Sequence, residues 1–218
     1  MSDKTKTQHG VGDQTVAKAD VAERVYADIY RLSEPYWQTR SNEIHVPMAY
    51  DYAKDLLVEY PQADARIVLP AILMHDNGYK NLPEETQLAG LQGSPKGWDP
   101  NVTRLHEIEG VRIAGELLGG LGYDAQKTQA IQKIIDGHDS IPEAHSLEDA
   151  LVKDADKLWR FTPISIRITR HWHQRETADY IAFLDGKIDT WMLTEYGQKK
   201  AREELALSRQ AFAKGELI

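Results

Sequence analysis

An all-α fold is what this sequence predicts, and two observations predict it. Apolar residues recur at spacings of three and four along most of the chain, and no stretch of comparable length alternates with period two. Val21, Val25 and Ile29 make the first helical stripe. Ala49, Tyr52 and Leu56 make a second, and Val68, Leu69 and Ile72 a third. Ile113 and Leu117 mark a fourth helix, Ile131, Ile134 and Ile135 a fifth, and Val152, Ala155 and Trp159 a sixth. The C-terminal third is helical too: Ile164 to Leu184 is basic and aromatic, and after Asp185-Gly186 a last helix runs from about Thr190 to Lys214. In that helix Lys199 with Glu203 and Lys200 with Glu204 are spaced for exposed ion pairs.

The segments between the stripes divide by composition. Met1 to about Lys18 is rich in Lys, Thr, Gln, Gly and Asp and lacks periodic apolar residues, which reads as a disordered leader ahead of one helical domain over residues 19–218. Gly78 to Pro100 carries Pro83, Gly90, Gly93, Pro95 and Gly97, and a connection of that length is uncommon unless it covers a functional site or is disordered, which makes it a candidate lid. Gly119, Gly120 and Gly122 follow a helical stripe with no strand before them, so they read as a helix terminus and not as a phosphate cradle.

Composition narrows the function classes. A chain of 218 residues can bury a substantial core without cross-links, and it has no cysteine, which excludes disulfides, thiolate zinc fingers, iron-sulfur clusters and cysteine nucleophiles. A metal site must therefore be made of His, Asp or Glu. With 34 acidic against 26 basic residues the net charge is -8, which argues against broad binding to nucleic acid or anionic membrane and leaves room for a local basic pocket. No run approaches the roughly 18 apolar residues of a membrane span, and the leader lacks the apolar core of a signal peptide, so a cytoplasmic protein is expected. Oligomeric state does not follow from the sequence.

Six ionisable residues fall on the apolar stripes. His45 leads Ala49, Tyr52 and Leu56; His75 and Asp76 follow Ile72 by three and four; His106 precedes Gly110, Ile113 and Leu117. His138 follows Ile131, Ile134 and Ile135, and Asp156 lies between Val152 and Trp159. Taken singly, such a histidine is ordinarily a hydrogen-bonded core residue and such an aspartate a helix cap. Six on converging faces are costly to bury without a common partner, and a cation is the economical one. The adjacent pair His75-Asp76 is the sharpest element, because neighbours about 100° apart at a helix end can both reach one ion.

In this order, His45, then His75-Asp76 within Leu-Met-His-Asp-Asn-Gly-Tyr, then Asp156 within Lys-Asp-Ala-Asp-Lys-Leu, the chain resembles the HD superfamily of metal-dependent phosphohydrolases. His106 in His-Glu-Ile-Glu-Gly-Val-Arg-Ile-Ala and His138 in Ile-Ile-Asp-Gly-His-Asp match positions that support a second metal in some members. The resemblance runs from about Ile44 to Leu158. Beyond it, Leu193-Thr-Glu-Tyr-Gly-Gln-Lys-Lys-Ala-Arg is similar to the final helix of small bacterial HD proteins, some of which hydrolyse nucleotides. One departure is His138-Asp139, where many members carry paired histidines, so the second site is expected to be altered or weak. Asp154 competes with Asp156 for the last ligand position, and Asp156 is better supported by the Val152, Ala155 and Trp159 stripe and by the family motif.

The resemblance implies a compact helical bundle with a C-terminal helical extension and one or two divalent ions, Mn, Fe, Co, Ni, Mg or Zn. One ion would be held by His45, His75, Asp76 and Asp156, and a second by His106 and His138, with Asp76 as the bridge. The implied activity is hydrolysis of a nucleotide or another small phosphorylated compound by metal-activated water, with His75, Asp76 and Lys80 catalytic and Lys80, Arg167 and Arg170 on the substrate. Arg160, His171 and His173 extend the basic cluster. Trp172 could stack on a base, whereas Trp159 is expected to pack in the core. Two other readings stand beside this one: a di-iron oxygenase like the inositol-oxygenase-like HD proteins, which use the same set of histidines and aspartates, and a regulatory binding module with a vestigial site.

Overall fold

The computed structural model of the chain describes residues 23–87 and 99–217. The leader, Val21 and the middle of the expected lid lie outside the described residues. Every regular element among the described residues is a helix. Helix α1 (residues 23–33) sends Ile29 into the core and runs into a 3-10 turn, Glu34–Trp37, whose tryptophan is buried and donates from Nε1 to Leu73 O and Asn77 Oδ1, both at 3.2 Å.

Helix α2 (Asn42–Glu59) buries His45, Val46, Ala49, Tyr52, Ala53 and Leu56 on one face. Helix α3 (Ala65–Met74) starts where the Asp64 carboxylate accepts Arg66 N at 2.9 Å, and every residue from Val68 to Met74 is buried. A helix with no polar face belongs at the centre, and α3 packs against α2, α6 and α7. A 3-10 turn (Asn77–Asn81) and the single-turn helix α4 (Glu84–Gln87) follow. Helix α5 (Pro100–Gly120) opens on an Asp99 cap with proline at its first position, and α6 (Ala125–Ile135) on an Asp124 cap. The glycine cluster closes α5, as its position predicts: Leu121 N and Tyr123 N return to Leu117 O and Leu118 O at 3.2 and 2.9 Å, and Gly122 takes φ 63°.

Helix α7 (Leu147–Leu158), capped by Ser146, packs on α2 and α3 and continues into a 3-10 turn, Trp159–Phe161. Helices α8 (Pro163–Thr169), α9 (Thr177–Asp185), α10 (Ile188–Trp191) and α11 (Glu195–Ala213) form the C-terminal extension, with α11 lying against α7, α8 and α9. The last helix thus begins at Glu195, later than the apolar pattern predicts, because Thr194 caps it: its backbone is extended and its hydroxyl accepts Gly197 N at 3.0 Å. Lys199–Glu203 and Lys200–Glu204 do pair, at 4.0 and 3.2 Å. Among the described residues no helix is long and apolar enough to cross a membrane.

One backbone approach sets the spacing around the site. The turn at Gly78 lies directly against α5, so that a Cβ built on Gly78 would overlap His106 O and stand 2.7 Å from Gly110 N. Gly110 is tight from the other side, where a Cβ would meet Ile135 Cγ2 at 3.0 Å and His75 O at 3.4 Å. Side chains larger than hydrogen would push α5 away from the end of α3.

Candidate metal centre

The five helices that carry apolar stripes with histidine or aspartate converge, and the six side chains meet. His45 comes from the first turn of α2, His75 and Asp76 from the end of α3, His106 from α5, His138 from the turn after α6 and Asp156 from α7. All six are buried; Asp76 is the most exposed, at 8%. Ligand atoms of His45, His75 and Asp76 lie within 4.8 Å of one another, and so do those of Asp76, His106 and His138. Asp76 thus belongs to both groups. Its Oδ2 stands 3.7 Å from His45 Nε2, and its Oδ1 is 3.6 Å from His75 Nε2, 3.5 Å from His138 Nε2 and 3.8 Å from His106 Nε2. Asp156 Oδ1 closes the first group at 3.2 Å from His45 Nε2 and 3.4 Å from His75 Nε2.

The ring orientations say what these atoms are for. His75 Nδ1 donates to Ile72 O at 2.7 Å and His138 Nδ1 to Ile135 O at 2.9 Å, so in the neutral form each ring turns a bare Nε2 lone pair inward. Each Nε2 faces another: His45 Nε2 is 3.1 Å from His75 Nε2, and His106 Nε2 is 3.3 Å from His138 Nε2. Two facing lone pairs repel unless a cation, a proton or a metal, lies between or beside them.

With protons alone the pairs divide unequally. Burial works to lower His138, but Asp76, Asp139 and Glu107 outweigh it and push it up to about 10, whereas burial and the charge on His138 push His106 down to about 4. In the other pair burial lowers His45, and for His75 burial is outweighed by Asp76 and Asp156, which raise it. Burial would raise the two carboxylates, yet the surrounding imidazoles hold Asp76 and Asp156 well below the usual carboxylate range. The donor set is imidazole nitrogen and ionised carboxylate, buried and convergent, which fits a divalent ion of the kind the sequence implies.

The turn after α6 is held by charges the sequence pattern does not reveal. Glu107, fully buried beside His106, accepts Asp139 N at 3.0 Å, Ser140 N at 2.8 Å and Ser140 Oγ at 2.7 Å, and it also pairs with Arg104. Lys153, 2% exposed, donates from Nζ to Gly137 O at 2.8 Å and to Ile141 O. These two residues close the turn so that Asp139 Oδ2 stands 3.8 Å from His106 Nε2 and 4.0 Å from His138 Nε2. Asp139, read from the sequence only as a departure from paired histidines, is a seventh donor at the second group.

The remaining expected site residues scatter. Asp154 does not face the cluster: its carboxylate accepts Leu193 N at 2.7 Å, Thr194 N at 3.0 Å and Thr194 Oγ1 at 2.6 Å, bracketing the start of α11. Lys80 is exposed one turn beyond Asp76. Arg167 is exposed and donates to Glu216 O at 3.2 Å, and Arg170 makes no hydrogen bond or ion pair with the six residues among those described. Arg160, four residues past Asp156, feels Asp156, Asp139 and Asp76, whose charges outweigh its burial and hold its guanidinium charged. Trp159 packs in the core with its ring 4.6 Å from that of His45. Tyr79, buried, stacks on His106 with centroids 3.9 Å apart, and Arg40 lies on its other face with Cζ 3.9 Å from the ring centroid. Neither Tyr79 nor Arg40 belongs to an apolar stripe, and only the position of Tyr79 next to the His75-Asp76 turn could have pointed to it.

The model of the HD domain family matches residues 43–160, which span α2 through the turn after α7 and contain all seven donors. No curated protein and no solved structure matches the chain.

Proposed function

Because the chain belongs to the HD domain family, whose members are usually metal-dependent hydrolases, we propose that it is a metal-dependent phosphohydrolase acting on a nucleotide or another small phosphorylated compound. The observation that carries this reading is the sharing of Asp76 between two buried groups of histidines. His45, His75, Asp76 and Asp156 would hold a divalent ion, with His106, His138 and Asp139 available for a second, and such an ion would supply a water of lowered pKa and positive charge against the phosphoryl oxygens.

The chain's own residues do the rest. The Nδ1 bonds to Ile72 O and Ile135 O keep His75 and His138 from turning and keep their Nε2 atoms aimed inward. Trp159 and Tyr79 cover His45 and His106 and exclude water from the outer faces of those rings. Arg160 adds a fixed positive charge on the Asp156 side, where a phosphate would need one outside the ligand set. Lys80, exposed one turn beyond Asp76, is available to a part of the substrate farther from the ligand set.

The test is release of inorganic phosphate from a panel of nucleotides and small phosphate esters, measured without oxygen in the presence of Mg, Mn, Zn, Co, Ni or Fe. Hydrolysis requires turnover under those conditions with at least one redox-inert ion. The histidine-rich second group also suits an oxygen-activating di-iron centre. Iron-dependent oxygen uptake with no phosphate released from any compound would establish that reading and discard the hydrolase.

A further inference from the structure

A cavity of about 520 Å³ lies beside the metal centre, a size typical of small-molecule sites. It is lined by residues on both flanks of the proposed ligands. Thr39, Arg40 and Ser41 come from the turn that leads into α2, where Ser41 O accepts His45 N at 3.0 Å; Lys80 comes from the turn that leaves His75-Asp76. Gln87 and Trp172 are among the other wall residues. A single ring separates Arg40, in the lining, from the second histidine pair, since the guanidinium lies on one face of Tyr79 and His106 on the other.

The charge of the lining is unbalanced. In a chain of net charge -8, the lining contains Arg40 and Lys80 and no Asp or Glu among the described residues. Arg40 Nη1 is buried without an acceptor, and no carboxylate pairs with Lys80, again among the described residues. A buried guanidinium nitrogen with no acceptor is costly and calls for an anion.

The backbone is also held in a form it would not choose. Arg40 and Ser41, neither of them glycine, take successive left-handed conformations at φ 52° and 59°. Gln87 pins this turn to the far wall, accepting from Thr39 Oγ1 and donating from Nε2 to Leu82 O at 2.8 Å and Tyr79 O at 3.1 Å. From this left-handed turn the Arg40 guanidinium lies over the Tyr79 ring. Ser41 provides no side-chain cap, so the positive end of the 18-residue helix α2 adds to the same field.

We propose that this cavity is an anion subsite that takes the part of the substrate that is not cleaved, a phosphate-bearing group of nucleotide size, with Arg40 and Lys80 as its counter-charges. Calling the ligand the substrate rests on the phosphohydrolase reading; the anion site itself does not. A substrate recognised this way carries negative charge at two places, one at the metal centre and one in the cavity.

The test is calorimetric titration of the full chain, as purified, with adenosine monophosphate and with inorganic pyrophosphate, on wild type, Arg40→Gln and Lys80→Gln. Metal content is measured alongside. Binding is expected to weaken roughly tenfold in Arg40→Gln and several-fold in Lys80→Gln, to weaken further as salt rises, and to leave metal content unchanged. In turnover, KM should rise by more than kcat falls. Wild-type affinity in both variants, or no binding of either probe to wild type, would overturn the subsite. Should Arg40→Gln fail to fold, Lys80→Gln and the charge reversal Lys80→Glu decide, because Lys80 is exposed and supports no neighbour. Binding that depends on these residues with no phosphate released from any compound would retain the anion site and discard the hydrolase.

Discussion

The two halves of the metal centre are built by different means. His45 and His75 stand on helices of the apolar core, surrounded in sequence by Val46, Ala49, Ile72, Leu73 and Met74, all with no exposed surface. In the other half only His106 stands on a long helix. His138 and Asp139 lie in a turn, and what fixes the turn is a buried carboxylate, Glu107, and a buried ammonium, Lys153, each bonded to backbone groups of the turn. A half held by packing distributes its support over many weak contacts. A half held by two buried charges fails when one is removed, because the groups it satisfied are left buried and unpaired.

The largest expected effect comes from the one residue the halves share. Asp76→Ala should lower turnover on the order of a thousandfold, and elemental analysis should show metal lost from both groups while circular dichroism stays close to wild type. A variant that keeps one equivalent of metal would show that the halves do not depend on a common carboxylate.

Removing the polar clamp should separate them. Glu107→Ala is expected to cost about 3 kcal/mol of stability in denaturant unfolding, since it strands Asp139 N, Ser140 N and Arg104. Metal titration should then show binding at the second group weakened at least about tenfold, with the first retained. Equal weakening of both would mean that the two halves fold as one unit.

In each imidazole pair one ring holds its proton more tightly and the other less. His138 is raised to about 10, so at neutral pH it carries a proton that an incoming ion must displace. Metal affinity of the second group should therefore rise roughly tenfold per pH unit from about 7 until pH reaches that value, one proton being released per ion. Chelator competition across this range measures the slope, and a flat profile would place no displaced proton at His138.

The smallest effect on the centre should come from Asp154, close to Asp156 in sequence but turned toward α11. Asp154→Asn is expected to cost about 1 kcal/mol of stability and to leave metal content and turnover unchanged. A loss of metal would return Asp154 to the ligand set.

The all-helical architecture and the family are legible in the sequence because burial imposes a period. Each inward helix face must be apolar at three and four, so a histidine or aspartate on that face stands out, and the structure brings together the six residues found that way. The polar supports leave no such trace. Glu107 and Lys153 look like any solvated charge beside an apolar stripe, and their burial depends on a turn whose shape is not periodic. Arg40 sits in a left-handed turn that sequence spacing cannot orient. Arg167, in sequence only eleven positions past Asp156, points instead to the backbone carbonyl of Glu216, because the intervening 3-10 turn and α8 change the direction of the chain.

The contact between Gly78 and the backbone of α5 makes the gap between the two imidazole pairs a fixed tolerance. The jig is two main chains in direct touch, with no side chain between them that could rotate or compress. The separation of His75 from His106 is therefore gauged to less than the width of a methyl group, and evolution can retune the ligands one at a time while the spacing of the whole centre can drift only if the helix itself is moved.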